Sequence, residues 1–239
     1  MKAVKSDFYP DFFLGVAHRG LHNEKFTENG LLAFKNAIEH DFAFEFDIHV
    51  TKDDKLIVMH DSSLKRTTGK EGIIEELTLS EIENNYTLLD GEKIPTLEEV
   101  LKLNNEQKTM VIELKPYKNN NKKLAAVASQ YLKSVKDKKK VTIISFDPRA
   151  LFFMRKESFK RGLLLTSTRK DIIFFRHFFE YLDVDIKLLN DSRILNYKKN
   201  HGLLNVWTIR SESDYKKVLN SVDTITFENI DPELIKKLY

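Results

Sequence analysis

Cysteine is absent from the 239-residue chain, which excludes disulfides, thiolate nucleophiles and cysteine-based metal sites. No apolar run approaches the roughly 18 residues that mark a membrane-spanning helix. Residues 1–10 include Lys2, Lys5 and Asp7 and lack the apolar core of a secretory leader, so a cytoplasmic location is expected. Neither sign of charge dominates: the net charge is +3 with 31% charged residues, and the sequence pI is near 8.8. No Arg-rich stripe is present, which argues against a nucleic-acid footprint. What is present is 41% hydrophobic content, enough for one large core. A single α/β barrel takes about 250 residues, so this length suits one domain spanning 1–239.

Apolar segments alternate with turn signals along the chain. Strands are expected at 13–17, 43–48, 110–114, 142–146, 162–165, 184–189, 205–209 and 224–227. Helices are expected at 28–40, 96–104, 122–135, 148–157, 170–182, 192–200, 212–220 and 232–238. Thr96 followed by Glu99 is a capping box, and Asp231-Pro232 places proline at a first helical position. Eight strand–helix units predict a parallel sheet closed into a (β/α)8 barrel. An open doubly wound sheet is the rival, but no Gly-x-Gly-x-x-Gly turn follows the first strand. The second unit is interrupted by a returning strand at 56–59. A polar excursion over about 61–95, with one weak helix at 78–85, then reads as an insertion without a core of its own.

Glu45 and Asp47 lie two apart on the second strand and therefore point to one face. Two carboxylates on one face of a buried strand repel each other unless a cation lies between them. His18 and His60 end the strand-like runs on either side. Imidazoles beside such a cation provide a general base and a general acid near neutral pH. This equipment suits metal-assisted cleavage of a phosphate ester. His49 shares the face of Asp47 but is read as structural. His22 and Asn23 sit in the loop after His18, within reach of a substrate.

A series of short motifs follows in order. They are His18-Arg19-Gly20, Glu28-Asn29, Glu45-Phe46-Asp47, Thr51-Lys52-Asp53, His60-Asp61, Arg66-Thr67-Thr68, Ile94-Pro95-Thr96-Leu97-Glu98-Glu99, Ile112-Glu113-Leu114-Lys115, Ser145-Phe146 and Val206-Trp207-Thr208. In this series the chain resembles the glycerophosphodiester phosphodiesterases, metal-dependent barrel hydrolases related to phosphatidylinositol-specific phospholipases C. The resemblance implies that Glu45, Asp47 and Glu113 hold one divalent cation. An all-oxygen set suits Mg2+ or Ca2+. It also implies that His18 and His60 are the acid–base pair and that Arg19 and Lys115 grip the phosphate oxygens. Glu28 and Asn29 would support the site from behind. Phe146 and Trp207 are candidate apolar walls for the glycerol carbons. The implied reaction gives glycerol 3-phosphate and an alcohol.

Three departures from the family pattern stand out. Thr27-Glu28-Asn29-Gly30 replaces Pro-Glu-Asn-Thr, Arg210 replaces the asparagine of Trp-Thr-x-Asn, and the last strand ends in Phe227-Glu228 where the family has Thr-Asp. These changes are expected at the rim, around the leaving-group pocket. Lysophospholipids and glycerol-phosphate polymers are alternative substrates, and a non-catalytic binding barrel is an alternative of another class. Finally, helical spacing over 170–182 places Phe174, Phe178 and Tyr181 on one stripe. That stripe is the expected surface for a homodimer or peripheral lipid contact.

Overall fold

This computed structural model describes residues 5–238; residues 1–4 and 239, the ends of the expected domain, lie outside the described residues. The strands are β1 (Val16–Ala17), β2 (Ala43–Val50), β3 (Leu56–Val58), β4 (Met110–Leu114), β5 (Val141–Ser145), β6 (Lys160–Leu165), β7 (Tyr181–Asp185), β8 (Leu204–Ile209) and β9 (Thr224–Phe227). Their order is β1-β9-β8-β7-β6-β5-β4-β2-β3, and β1 also pairs with β2, so eight parallel strands close into a barrel. β3 stands apart as an antiparallel return on β2. The expected (β/α)8 barrel is the observed fold.

Helices α1 (Pro10–Leu14), α2 (Leu31–Glu39), α3 (Lys65–Thr68), α4 (Leu79–Asn85), α5 (Leu97–Asn104), α6 (Asn121–Leu132), α7 (Pro148–Phe153), α8 (Ser192–Lys199), α9 (Glu212–Val218) and α10 (Pro232–Leu238) complete the chain. Two carry full capping boxes, α4 from Thr78 with Glu81 and α5 from Thr96 with Glu99.

Alternation along each strand sorts side chains into two cores. Outward residues such as Phe44, Phe46, Ile112 and Leu163 are buried under the helices. Inward residues Val16, Ala43, Val111, Ile144, Leu164, Tyr181 and Leu203 fill the barrel, and Phe8 and Phe12 pack with them. Tyr181 crosses this interior, edge-on to Phe12 at 5.9 Å, with its hydroxyl 3.0 Å from Thr142 Oγ1. Gly162 leaves the room: a Cβ there would lie 2.3 Å from Tyr181 Cζ.

That interior place for Tyr181 corrects the expected 170–182 helix. Residues Lys170–Phe178 form a 3-10 helix, and β7 begins at Tyr181, not at residue 184. Tyr181 is fully buried, so the three-aromatic contact stripe does not exist; Phe174 and Phe178 alone remain exposed, at 73% and 56%. The cause is β7 itself, whose inward positions are Tyr181, Asp183 and Asp185, so its apolar residues merged with the preceding phenylalanines into an apparent helical pattern. The expected strand 13–17 is likewise shortened to Val16–Ala17, because Phe13 and Leu14 end α1, which is begun by Pro10 at a first helical position. The insertion also differs from expectation. Leu64, Ile74, Ile82, Leu88 and Ile94 form a buried apolar cluster, shared with Ile57 and Met59 from the β3 segment.

Candidate active site

Parallel register sets Asp47 beside Glu113 across β2 and β4, with Glu45 one step below on the same face. One carboxylate oxygen from each lies within 4.8 Å of the others, and all three residues are buried. Burial and the neighbouring Asp47 and Glu113 carboxylates push Glu45 well above the ordinary range. Burial, with Asp47 adding to it, pushes Glu113 up to about 8, although Lys115 opposes this. Asp47 goes the other way: burial raises it, but Lys115, His60, Arg19 and the Asn29 amide together pull it far down. Lys115 Nζ sits 3.1 Å from Asp47 and 2.9 Å from Glu113, and Arg19 Nε lies 3.6 Å from Asp47. Arg19 opposes the rise at Glu45, through its charge and its backbone N–H 3.0 Å from Oε2, without reversing it. Three buried oxygen donors with charge left to neutralise are a fitting cradle for a hard divalent cation.

The two histidines are built alike. His18 Nδ1 hydrogen-bonds Glu228, and His60 Nδ1 lies 2.7 Å from Asp61 Oδ1. Behind each carboxylate stands an arginine at 2.6 Å, Arg210 Nε on Glu228 and Arg66 Nε on Asp61. Burial raises the Glu228 carboxyl, but His18, His22 and Arg210 outweigh it and hold the group far below the ordinary range. Asp61 is also held low, by Arg66 and His60 against its own burial. An ionised carboxylate can only accept, so Nδ1 carries the proton in each ring and Nε2 keeps its lone pair. Burial lowers both imidazoles, which favours that neutral form.

Arg66 continues the network, donating to Glu28 Oε1 at 2.7 Å, and Arg19 donates to the same oxygen at 2.9 Å. Asn29 Nδ2 donates to Asp47 Oδ2 at 2.9 Å, and Asp47 N donates back to Asn29 Oδ1 at 3.3 Å. Glu28 thus ties Arg19 to Arg66, and Asn29 is tied to Asp47. His18, Arg19, Glu45, His60, Glu113 and Lys115 line one cavity of about 190 Å³, walled by Phe146 and Trp207. The two rings meet edge-to-face at 5.7 Å. His49 is structural: its Nδ1 is 2.6 Å from Glu75 and its Nε2 is 3.1 Å from the His60 carbonyl, tying the insertion to the wall. His22 and Asn23 line a separate groove, and Asn23 caps a turn through the amides of Lys25 and Phe26.

The sequence profile of the Glycerophosphoryl diester phosphodiesterase family matches residues 18–231. The chain belongs to this family. It is similar to a glycerophosphodiester phosphodiesterase of Caldanaerobacter subterraneus, with 30% identity over 94% of this chain and 97% of that protein. Among solved structures, the glycerophosphodiester phosphodiesterase of Thermotoga maritima aligns at a TM-score of 0.77, with 27% identity over 95% of this chain and 98% of the other. An Oleispira antarctica phosphodiesterase, solved with sn-glycerol-3-phosphate, aligns at 0.82 with 22% identity over 93% and 95% of the two chains.

Family membership puts the two late departures in a new light. Arg210 and Glu228 are not independent rim changes; they bond each other, and Glu228 holds His18. This corrects the expectation that the departures lie only at the rim, around the leaving-group pocket. The signal in the sequence was the pairing itself: two positions change together, one gaining a cation and one a longer carboxylate.

Proposed function

We propose that this chain hydrolyses glycerophosphodiesters to glycerol 3-phosphate and an alcohol, with His18 and His60 as the acid–base pair. The observation that carries the reading is the pair of imidazoles, each with Nδ1 tied back to a carboxylate and Nε2 unspent, on the cavity that holds the carboxylate cluster. Glu45, Asp47 and Glu113 would hold one Mg2+ or Ca2+. When bound, such an ion supplies Lewis-acid polarisation of a phosphoryl oxygen.

The rest of the chemistry belongs to the chain's own residues. Arg19 and Lys115 line the cavity beside the histidines and bind the non-bridging phosphate oxygens, offsetting the charge that grows there. His60 also borders an adjoining open groove with Ser62 and Arg169, whereas His18 lines the inner cavity and not that groove. The leaving alcohol therefore departs past His60, which first takes a proton from solvent at Nε2 and then passes that proton to the alcohol, while His18 Nε2 takes the proton of the attacking hydroxyl and afterwards returns it to solvent. Glu228 and Asp61 keep the rings oriented and stabilise each one while it is protonated. Phe146 and Trp207 wall the glycerol carbons. The barrel and its insertion act in this reading as a single catalytic domain. Among the described residues no helix is long and apolar enough to cross a membrane. The partner surface expected through Phe174, Phe178 and Tyr181 has only the exposure of the first two to support it.

His18→Ala and His60→Ala test the pair. Each lowers kcat by about 10²–10⁴-fold on glycerophosphocholine while the circular dichroism spectrum stays that of the parent. Near-parental turnover in either variant removes that histidine from the mechanism.

A further inference from the structure

Beneath the histidines the cavity has two unlike walls. Ile144 and Leu164, from β5 and β6, make one side apolar, and Asp183 and Thr226, from β7 and β9, make the other polar. Asp183 is 1% exposed and Thr226 3%, and each is paired across the sheet with an apolar inward residue, Leu164 and Val16. Asn205, on β8 between them, spends its amide on both: Nδ2 donates to Asp183 Oδ1 and to Thr226 Oγ1, each at 2.8 Å.

The accounting does not close. Among the described residues no hydrogen bond reaches Asp183 Oδ2, and the Thr226 hydroxyl accepts but donates to nothing. Asn205 Oδ1 and Trp207 Nε1 are buried without any partner. Buried polar groups are ordinarily satisfied, because stripping their water without replacement costs stability. Here several unsatisfied groups gather on one side of the cavity that carries the reacting centre. A closely packed core would place aliphatic side chains at these inward positions of a barrel.

We infer that Asp183, with Thr226 and Trp207 beside it, forms a hydroxyl-reading subsite for the vicinal diol of the group that stays on phosphorus, with Ile144 and Leu164 against its carbons. The inference rests on the reading that a glycerophosphodiester occupies this cavity, and adds which residues recognise its free hydroxyls. A hydroxyl both donates and accepts, and so does the polar wall: Asp183 Oδ2 accepts, and the Thr226 O–H and Trp207 N–H donate. Burial holds the Asp183 carboxyl up at about 7, against the Asn205 hydrogen bond, so near neutrality the group can also donate. A site built to hydrogen-bond a hydroxyl discriminates strongly against an analogue without it, since its own polar groups are then left bare.

The test compares two diesters in the metal-supplemented enzyme: glycerophosphocholine, and bis(p-nitrophenyl) phosphate, which has no diol. The readout is the ratio of their kcat/KM values in the parent protein, Asp183→Asn and Asp183→Leu. The expected result is a fall in that ratio of about tenfold or more in both variants, mostly through KM for the diol substrate. An unchanged ratio overturns the subsite, whether both activities persist or both fall together as a structural defect would make them. Should Asp183→Leu fail to fold, the near-isosteric Asp183→Asn carries the test alone. Failure of the parent protein on every glycerophosphodiester would instead refute the proposed function.

Discussion

Glu228→Gln changes one oxygen to an amide and probes how His18 is prepared for chemistry. In the parent, Glu228 accepts from His18 Nδ1 and from Arg210 Nε at 2.6 Å, with His22 Nε2 at 3.5 Å. A glutamine oriented to accept from Arg210 turns its NH2 toward His18. That amide can only donate, so Nδ1 must lose its proton and Nε2 must gain one, which removes the base. A hydrogen bond to a charged partner contributes about 1.5–3 kcal/mol net, and losing it from the protonated imidazole in the transition state corresponds to about 10–150-fold in rate. Steady-state release of choline from glycerophosphocholine, fitted for kcat and KM separately, reads the effect. Glu228 does not line the reacting cavity, so the loss falls on kcat while KM changes little. The double variant Arg210→Asn with Glu228→Asp restores the family's residues at both positions and regains more kcat than either single change. A Glu228→Gln enzyme within twofold of the parent kcat, or one impaired in KM alone, would refute this account of His18.

Two further outcomes follow from the same network and its surroundings. Gly20 has φ +79°, and an added Cβ would lie 2.8–2.9 Å from Ala33 and Phe34; Gly20→Ala is expected to destabilise by about 2–5 kcal/mol in urea unfolding, and parental stability would contradict the packing described. Burial pushes the Glu28 carboxyl up, but Arg66 and Arg19 more than reverse this and hold it below its usual value. A carboxylate lowered by folding contributes stability that is present above its unfolded pKa and is lost as pH falls through the lower folded one. The urea-midpoint difference between parent and Glu28→Gln should therefore shrink as pH drops from about 6 to about 3, and a difference that grows in acid would reverse the sign.

Much of the site was legible because its signals are local. Glu45 and Asp47 share a face through strand periodicity, and the His60-Asp61 hydrogen bond joins adjacent residues. Thr96 with Glu99 announces α5 within four positions. What escaped was set by distance along the chain or by context. His18 and Glu228 are 210 residues apart, and only closure of β9 onto β1 brings them together. Asp183, Asn205 and Thr226 sit on three different strands, each an unremarkable polar residue until the barrel turns them inward. The 170–182 segment misled because four phenylalanines at helical spacing precede a strand with polar inward positions. The insertion's core was hidden because Leu64, Ile74, Ile82, Leu88 and Ile94 are scattered through polar sequence and meet only when the segment folds back on β3.

The central claim is a metal-assisted phosphodiesterase using two prepared histidines, and one measurement addresses it directly. Phosphorus NMR follows glycerophosphocholine with the purified protein in excess Mg2+ or Ca2+, and again after exhaustive chelation. The account predicts conversion to glycerol 3-phosphate with the ion present, loss of that conversion on chelation, and its return when the ion is restored. Full activity in the chelated protein would remove the cation from the mechanism, and no conversion of any glycerophosphodiester under either condition would contradict the proposed function itself.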